Sequence, residues 1–499
     1  MKNISKIASI LLALVMVFAL TATASAAEDT TISAPEGSTR TYAVYQIFTG
    51  DLSGNILSNV KWGKNGTGTE GTSVDQTILE ALAAVNSKSD LEKLTEIKKY
   101  VNLDTEAFGT VSAGNPLTVP TGYYLIQDEG SVGEGEAYSL YVVKVVGPTT
   151  ISPKVGKVTS EKKVVDTNDT TGTTSGLQDS ADHDIGDAVP FQLKGVVASD
   201  YANYTVYQFA FHDKQSSGLT FNPGSVVVKV DGTAIDSGYS VVTTGLTDGC
   251  AFEVRFADLK QIASVHAGSV ITVDYTSTLN EGAVIGSLGN PNTMYLEYSN
   301  NPNDTQGTTT GNTPEDTVIV FTYKTVIHKV TKNPNYNPDT EGSQEYISLT
   351  GAAFKLEKQI KGVDGDTWQL VKEYTVDAQN PASAFEFAGL DDGNYRLTET
   401  VTPAGYNSIE PIVFTVEAVH TDGDAPELTA LTGNAGSGEI TFTPDITTAS
   451  LSADVVNNAG MTLPETGGMG TTIFYALGGL LVLAAFVLLV TKKRMAAEG

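Results

Sequence analysis

Short runs of alternating apolar and polar side chains, closed by Gly, Asn, Asp or Pro, recur along most of this chain. A two-residue period of that kind predicts half-buried β-strands; residues 42–48 and 123–127 are clear cases. One stretch departs from it. Ile78, Leu79, Leu82 and Val85, then Leu91, Leu94 and Ile97, recur at helical spacing, and Ser89-Asp90 is placed to cap the second helix. Two apolar segments fit neither pattern. Residues 473–490 form an uncharged run long enough to span a bilayer. Lys492, Lys493 and Arg494 follow it and favour the cytoplasmic side. Residues 7–20 follow Lys2 and Lys6 and lead into Ala24-Ser25-Ala26, the layout of a secretory signal peptide cleaved after Ala26 or Ala27.

Length and texture divide the rest into about three domains. Residues 27–153 hold the helices, residues 154–325 are nearly all strand and turn, and residues 326–462 form a third β-rich unit. Residues 463–499 are the C-terminal segment with the membrane helix. The polar inserts 166–187 and 300–316 read as surface loops of the second unit. The expected fold is mainly β, as tandem sandwich domains with some helix in the first.

Charge and rare residues narrow the function. With 58 acidic against 30 basic residues the chain carries −28, so it repels nucleic acid. An exported protein with Cys250 alone forms no internal disulfide; the alternation over residues 250–256 makes Cys250 a buried small apolar side chain. His183, His212, His266, His328 and His420 are dispersed without zinc-ligand spacing. No phosphate-binding loop or G-x-S-x-G elbow is present. The insert with Asp179, Asp182, Asp184 and Asp187 lacks EF-hand spacing and reads as a solvated acidic loop rather than a calcium site. Trp62 and Trp368 read as core or turn aromatics. Neither an enzyme nor a cofactor or metal is expected.

Leu463-Pro464-Glu465-Thr466-Gly467 stands just ahead of the membrane run. Pentapeptide, span and basic tail in this order resemble the cell-wall sorting signal of Gram-positive bacteria. That resemblance implies cleavage by a sortase between Thr466 and Gly467, with the Thr466 carbonyl passed to an amine. Residues 347–358 and 385–406 resemble the Cna B-type domain, an immunoglobulin-like β-sandwich of Gram-positive surface proteins. The second unit is similar to the isopeptide-forming domain of fimbrial shaft proteins. Taken whole, the chain resembles a sortase-assembled major pilin. The resemblance implies sandwiches locked by amides between Lys and Asn side chains, each promoted by a buried Asp or Glu.

Strand parity selects the residues, because side chains two apart share a face. Lys329 keeps step with Phe321, Tyr323 and Ile327, Asn457 with Leu451, Ala453 and Val455, and Glu399 with Tyr395 and Leu397. In the second unit Asn300 keeps step with Met294, Leu296 and Tyr298, and Asp213 with Tyr207, Phe209 and Phe211. Lys162 aligns with Val158 and Val164, and Lys163 stays open as its rival. Polar groups aimed at a core are costly unless paired. A buried lysine loses its charge and becomes nucleophilic, while a buried carboxyl can carry protons. The plain alternative is lysines that snorkel from strand ends to pair with carboxylates.

A shaft subunit also needs an acceptor amine, which the resemblance puts on a lysine after proline at the end of the first domain. Here that is Lys154, in Ile151-Ser152-Pro153-Lys154, although Ser152 stands where tyrosine is usual; Lys157 and Lys163 are rivals. The implied partners are a sortase, neighbouring copies of the chain, peptidoglycan directly or through a base pilin, minor pilins, and the membrane before sorting. The implied location is the wall or surface pilus of a Gram-positive bacterium. The second reading is a singly anchored adhesin whose sandwiches form a stalk.

Overall fold

The computed structural model describes residues 29–139, 141–152, 156–436, 440–460 and 470–495. The signal segment, Lys154 and the pentapeptide 463–467 lie outside them.

The first unit is built on the long strand Thr41–Ser53, which pairs with Ile56–Trp62, Gly109–Ser112 and Gly122–Glu129; the last of these pairs with Tyr141–Val145. Helices Gln76–Ala84 and Asp90–Lys98 lay Leu79, Leu82, Leu94 and Ile97 against Ile47, Phe48 and Trp62. Ser89 caps the second helix by a reciprocal capping box with Glu92.

In the middle unit two sheets face each other. One runs Thr233–Ile235, Val227–Val230, Val270–Leu279, Ala188–Val196, Thr159–Val164; the other is centred on Phe209–Gln215 and Asn290–Ser299. Their inner faces supply one core, with Phe191, Leu193, Phe209, Phe211, Val273, Tyr275 and Leu296 buried in it. Strand Asp316–Phe321 belongs to this sandwich and Tyr323–Lys332 to the next, so the chain changes sandwich at Thr322. In the third unit the first and last strands, Tyr323–Lys332 and Ser450–Val456, lie parallel as hydrogen-bonded neighbours, with Lys329 opposite Val455. A second sheet ordered Thr367–Glu373, Ala353–Ile360, Gly393–Val401, Ile412–His420, Leu428–Ala435 covers them.

The insert 166–187 is not a free surface loop. Strand Ser180–Asp182 pairs parallel with Asp316–Phe321, and the segment is wedged against the third sandwich. Asp184 and Asp182 accept the backbone N–H groups of Asp391 and Asp392, both at 3.0 Å. Lys358 of the third sandwich donates to Asp184 at 2.6 Å, to Asp169 at 3.0 Å and to Asp391. A lysine ammonium thus sits amid the carboxylates that the sequence read as solvated. The insert 300–316 behaves similarly at the other end: Asn300 O accepts from Tyr138 N–H at 2.7 Å and Asn312 O from Gly135 N–H at 2.9 Å.

Helix Gly470–Met495 includes Phe474–Lys493, long and apolar enough to cross a membrane, with none of that window buried.

Candidate cross-linking sites

Lys329 enters the third core because its strand alternates Tyr323, Thr325 and Ile327 inward, and its side chain is fully buried. Asn457 follows the last strand and keeps its parity; its N–H donates to Val330 O at 3.0 Å, which holds it beside the first strand. Glu399 comes from the opposite sheet. Lys329 Nζ donates to the Asn457 side-chain carbonyl and lies 3.1 Å from Glu399 Oε1. Asn457 Nδ2 donates to Glu399 Oε1 at 2.9 Å and Oε2 at 3.2 Å, and Thr402 Oγ1 donates to Oε2 at 2.9 Å. The Lys329 and Glu399 side chains have no exposure to solvent. Burial pulls the Lys329 pKa below its ordinary value, with Glu399 opposing. The carboxylate therefore touches both the attacking amine and the nitrogen that would leave.

In the middle sandwich Lys162 pairs with Leu193 at the sheet edge and points inward, while Lys163 points out to Asp179 and Glu161. Lys162 Nζ donates to Asp213 Oδ2 and, at 2.9 Å, to Tyr275 Oη. Tyr275 Oη donates to the same Asp213 oxygen at 2.7 Å. Phe191 and Tyr275 stack beneath the amine, each ring centroid 5.5 Å from Nζ. Burial lowers the Lys162 pKa, against the pull of Asp213.

Asn300 does not join this group. The asparagine present is Asn292, whose Nδ2 donates to Tyr275 Oη at 2.9 Å and whose buried Oδ1 has no hydrogen-bond partner. The register explains why. Asp213 pairs with Met294 and Gln215 with Asn292, so Asn292 lies at the level of the acid. At ~3.3 Å per residue Asn300 is roughly 26 Å further along the strand. Residues 292 and 300 share one parity with Met294, Leu296 and Tyr298, so sequence alternation had no means of separating them.

Cys250 is likewise not a core side chain. Strand pairing begins at Phe252, and Cys250 lies on the preceding bend, half-exposed beside His212 and Asp248. Trp62 packs in the first core, 5.3 Å from Phe48.

Comparison with known proteins matches three parts of the chain. Residues 185–302 fit the Cna-B-like domain of Gram-positive pilin backbone subunit 2, residues 340–429 a prealbumin-like fold domain, and residues 455–496 the LPXTG cell wall anchor motif. Two parts of the chain thus match domains described from pilins or of prealbumin-like fold, and a third the wall-anchor motif. The Cna-B-like description falls on the middle sandwich and the prealbumin-like one on the third. A curated relative, the trypsin-resistant surface T6 protein of Streptococcus pyogenes serotype M6, is 26% identical over 338 residues, covering 59% of this chain. The chain spans 62% of that relative's length. The solved T6 backbone pilin of serotype M6 Streptococcus pyogenes shares the fold, with 19% identity and a TM-score of 0.52 over 87% of this chain and 98% of that one. Anchor motif and membrane-length helix mark the chain as an exported protein of the Gram-positive cell surface.

Proposed function

We propose that this chain is a Gram-positive backbone pilin, the repeating shaft subunit of a covalent pilus, joined head to tail by a sortase and locked internally by two lysine–asparagine amides. The observation that carries the reading is the buried Lys329–Glu399–Asn457 group at the meeting of the first and last strands. Lys329 Nζ, its pKa pulled down by burial, attacks the Asn457 side-chain carbonyl as the free amine. Glu399 takes a proton from the amine and returns it to the amide nitrogen. The Cγ–Nδ2 bond breaks, ammonia leaves, and a bond from Nζ to Cγ replaces it. Lys162, Asp213 and Asn292 do the same in the middle sandwich, with the Tyr275 hydroxyl between amine, acid and amide. Each event occurs once, so this is self-modification rather than turnover.

The purpose is mechanical. Force entering the third sandwich at its first strand leaves by the neighbouring last strand through one amide, and the domain between is bypassed. Between subunits the Thr466 carbonyl is passed to Lys154 of the next copy. That contact is heterologous and open-ended, and so it produces a filament.

The test is the native wall. Pili released by wall hydrolase, boiled in detergent and blotted for this protein should form a ladder, and its branched peptides should join Thr466 to Lys154. Lys154→Arg should collapse the ladder to monomers. A single band joined only to peptidoglycan would overturn the shaft reading in favour of the anchored adhesin.

A further inference from the structure

On the outer face of the middle sandwich, away from Lys162, four kinds of donor converge. His212 alternates with the core residues Phe211 and Asp213 and so faces outward, yet it is only 7% exposed. Its Nδ1 lies 2.8 Å from Asp248 Oδ2 and 3.9 Å from Cys250 Sγ, and Sγ lies 3.0 Å from the same Asp248 oxygen. A local turn brings the two loop donors together: Gly249 is left-handed, with φ of 83°, and Cys250 N–H donates to Asp248 Oδ1 at 3.1 Å. Tyr295 stacks on the imidazole at 4.4 Å between centroids and donates its hydroxyl to Asp248 Oδ2 at 2.8 Å.

The far side of the ring matters most. Nε2 donates to Glu297 Oε2 at 3.2 Å, and Thr310 Oγ1 fixes the other Glu297 oxygen at 2.7 Å. A carboxylate holding one imidazole nitrogen while the other faces further donors is the outer-shell arrangement of metal-bound histidines. We propose that His212 Nδ1, Asp248 Oδ2 and Cys250 Sγ form a binding site for zinc or a similar borderline divalent transition metal. A thiolate and an imidazole select such ions over calcium or magnesium. Tetrahedral zinc separates its ligands by about 3.4–3.6 Å, so Asp248 has to retreat by roughly half an ångström, and it sits on an exposed bend. The metal replaces the proton shared by Nδ1 and Asp248 and the proton of the thiol, so binding releases protons. Asp248 and Cys250 are partly exposed, so an ion can reach them from solvent. Tyr295 Oη, 3.0 Å from Nδ1, and Glu253 Oε1, 3.5 Å from it, are the further oxygens beside the group. The separation of 38 positions between His212 and Cys250 hides this group from any search for local ligand spacing.

The untagged full-length chain in detergent, freed of metal by chelation, should bind one equivalent of Zn²⁺. Co²⁺ should give the near-ultraviolet thiolate charge-transfer band together with the visible bands of tetrahedral coordination. Cys250→Ser, on a half-exposed bend, should abolish the charge-transfer band and weaken binding. Glu297→Gln, which touches no metal, should weaken it about 10- to 100-fold. The proposal is overturned if wild type binds no Co²⁺ with a thiolate band, or if Cys250→Ser binds Zn²⁺ as tightly as wild type, which would move the site to the acidic joint between sandwiches.

Discussion

Replacing Asn457 by alanine removes the electrophile of the third sandwich and leaves Lys329 and Glu399 as a buried pair 3.1 Å apart. The variant therefore separates the loss of the cross-link from the stranding of a charge. Lys329 and Asn457 are 128 residues apart. Closing a loop of that length is worth about 5 kcal/mol in the chain-entropy model. A domain of this size shifts by roughly 3–5 °C per kcal/mol, so its Tm should fall by about 15–25 °C. Scanning calorimetry of the full chain carries its own control, because the middle sandwich keeps its Lys162 site and its transition should stay in place. Intact mass gives the chemical half of the result: wild type should be two ammonia lighter than its sequence and the variant one. Wild type at its unmodified mass, or a variant whose transitions all move by less than about 5 °C, would refute the reasoning.

Other substitutions probe the remaining inferences. Asn292→Ala should restore one ammonia to the mass, whereas Asn300→Ala should leave the mass deficit intact; peptide mapping across Lys162 decides between them. Lys358→Met should cost about 3–5 kcal/mol by leaving Asp184 and Asp391 buried without their cation, seen as a lower urea midpoint. The joint between the middle and third sandwiches should weaken as pH rises from about 4 to 7. Burial, together with the neighbouring Asp182, pushes Asp166 up to about 7 and Asp392 up to about 6. Such carboxyls stabilise the fold while protonated; the contribution is complete below their unfolded value and gone above the folded one. Burial opposes the charge on His420, but Asp182 raises its pKa overall, so its contribution also disappears as pH rises. Asp182 is itself held below the usual carboxylate range, its burial outweighed by His420, and sets the acid limit. Protection of Ser180–Asp182 from hydrogen exchange, taken relative to the intrinsic rate at each pH, should therefore be greater at pH about 5 than at pH about 8; equal protection would contradict the assignment.

Much of the architecture was legible because it depends on local periods. Alternation marked the strands, the spacing of Leu79, Leu82, Leu94 and Ile97 marked the two helices, and Ser89 with Glu92 marked a cap. The sorting pentapeptide, span and basic tail are linear signals that need no fold. Parity likewise aimed Lys329, Glu399 and Asn457 at one core, since a strand side chain has only two faces to choose from.

Parity says nothing about height along a strand. Whether Asn292 or Asn300 meets Lys162 depends on how Asn290–Ser299 is registered against Phe209–Gln215 and on which end of the facing sheet carries Lys162. Those offsets are set by core packing between sheets, not by either strand alone. The same limit hid the joint: Asp166–Asp187 is polar along its length, and only its docking against Lys358, Asp391 and His420 turns it from a solvated loop into a buried ionic contact. It hid the outward face as well, where Cys250 leaves the alternation because its strand begins at Phe252. The sequence by itself determined which residues are polar, which side chains of a strand share a face and where the anchor motif lies. The tertiary structure decided which of them meet, because hydrogen-bond register and sheet-on-sheet packing join residues more than a hundred positions apart.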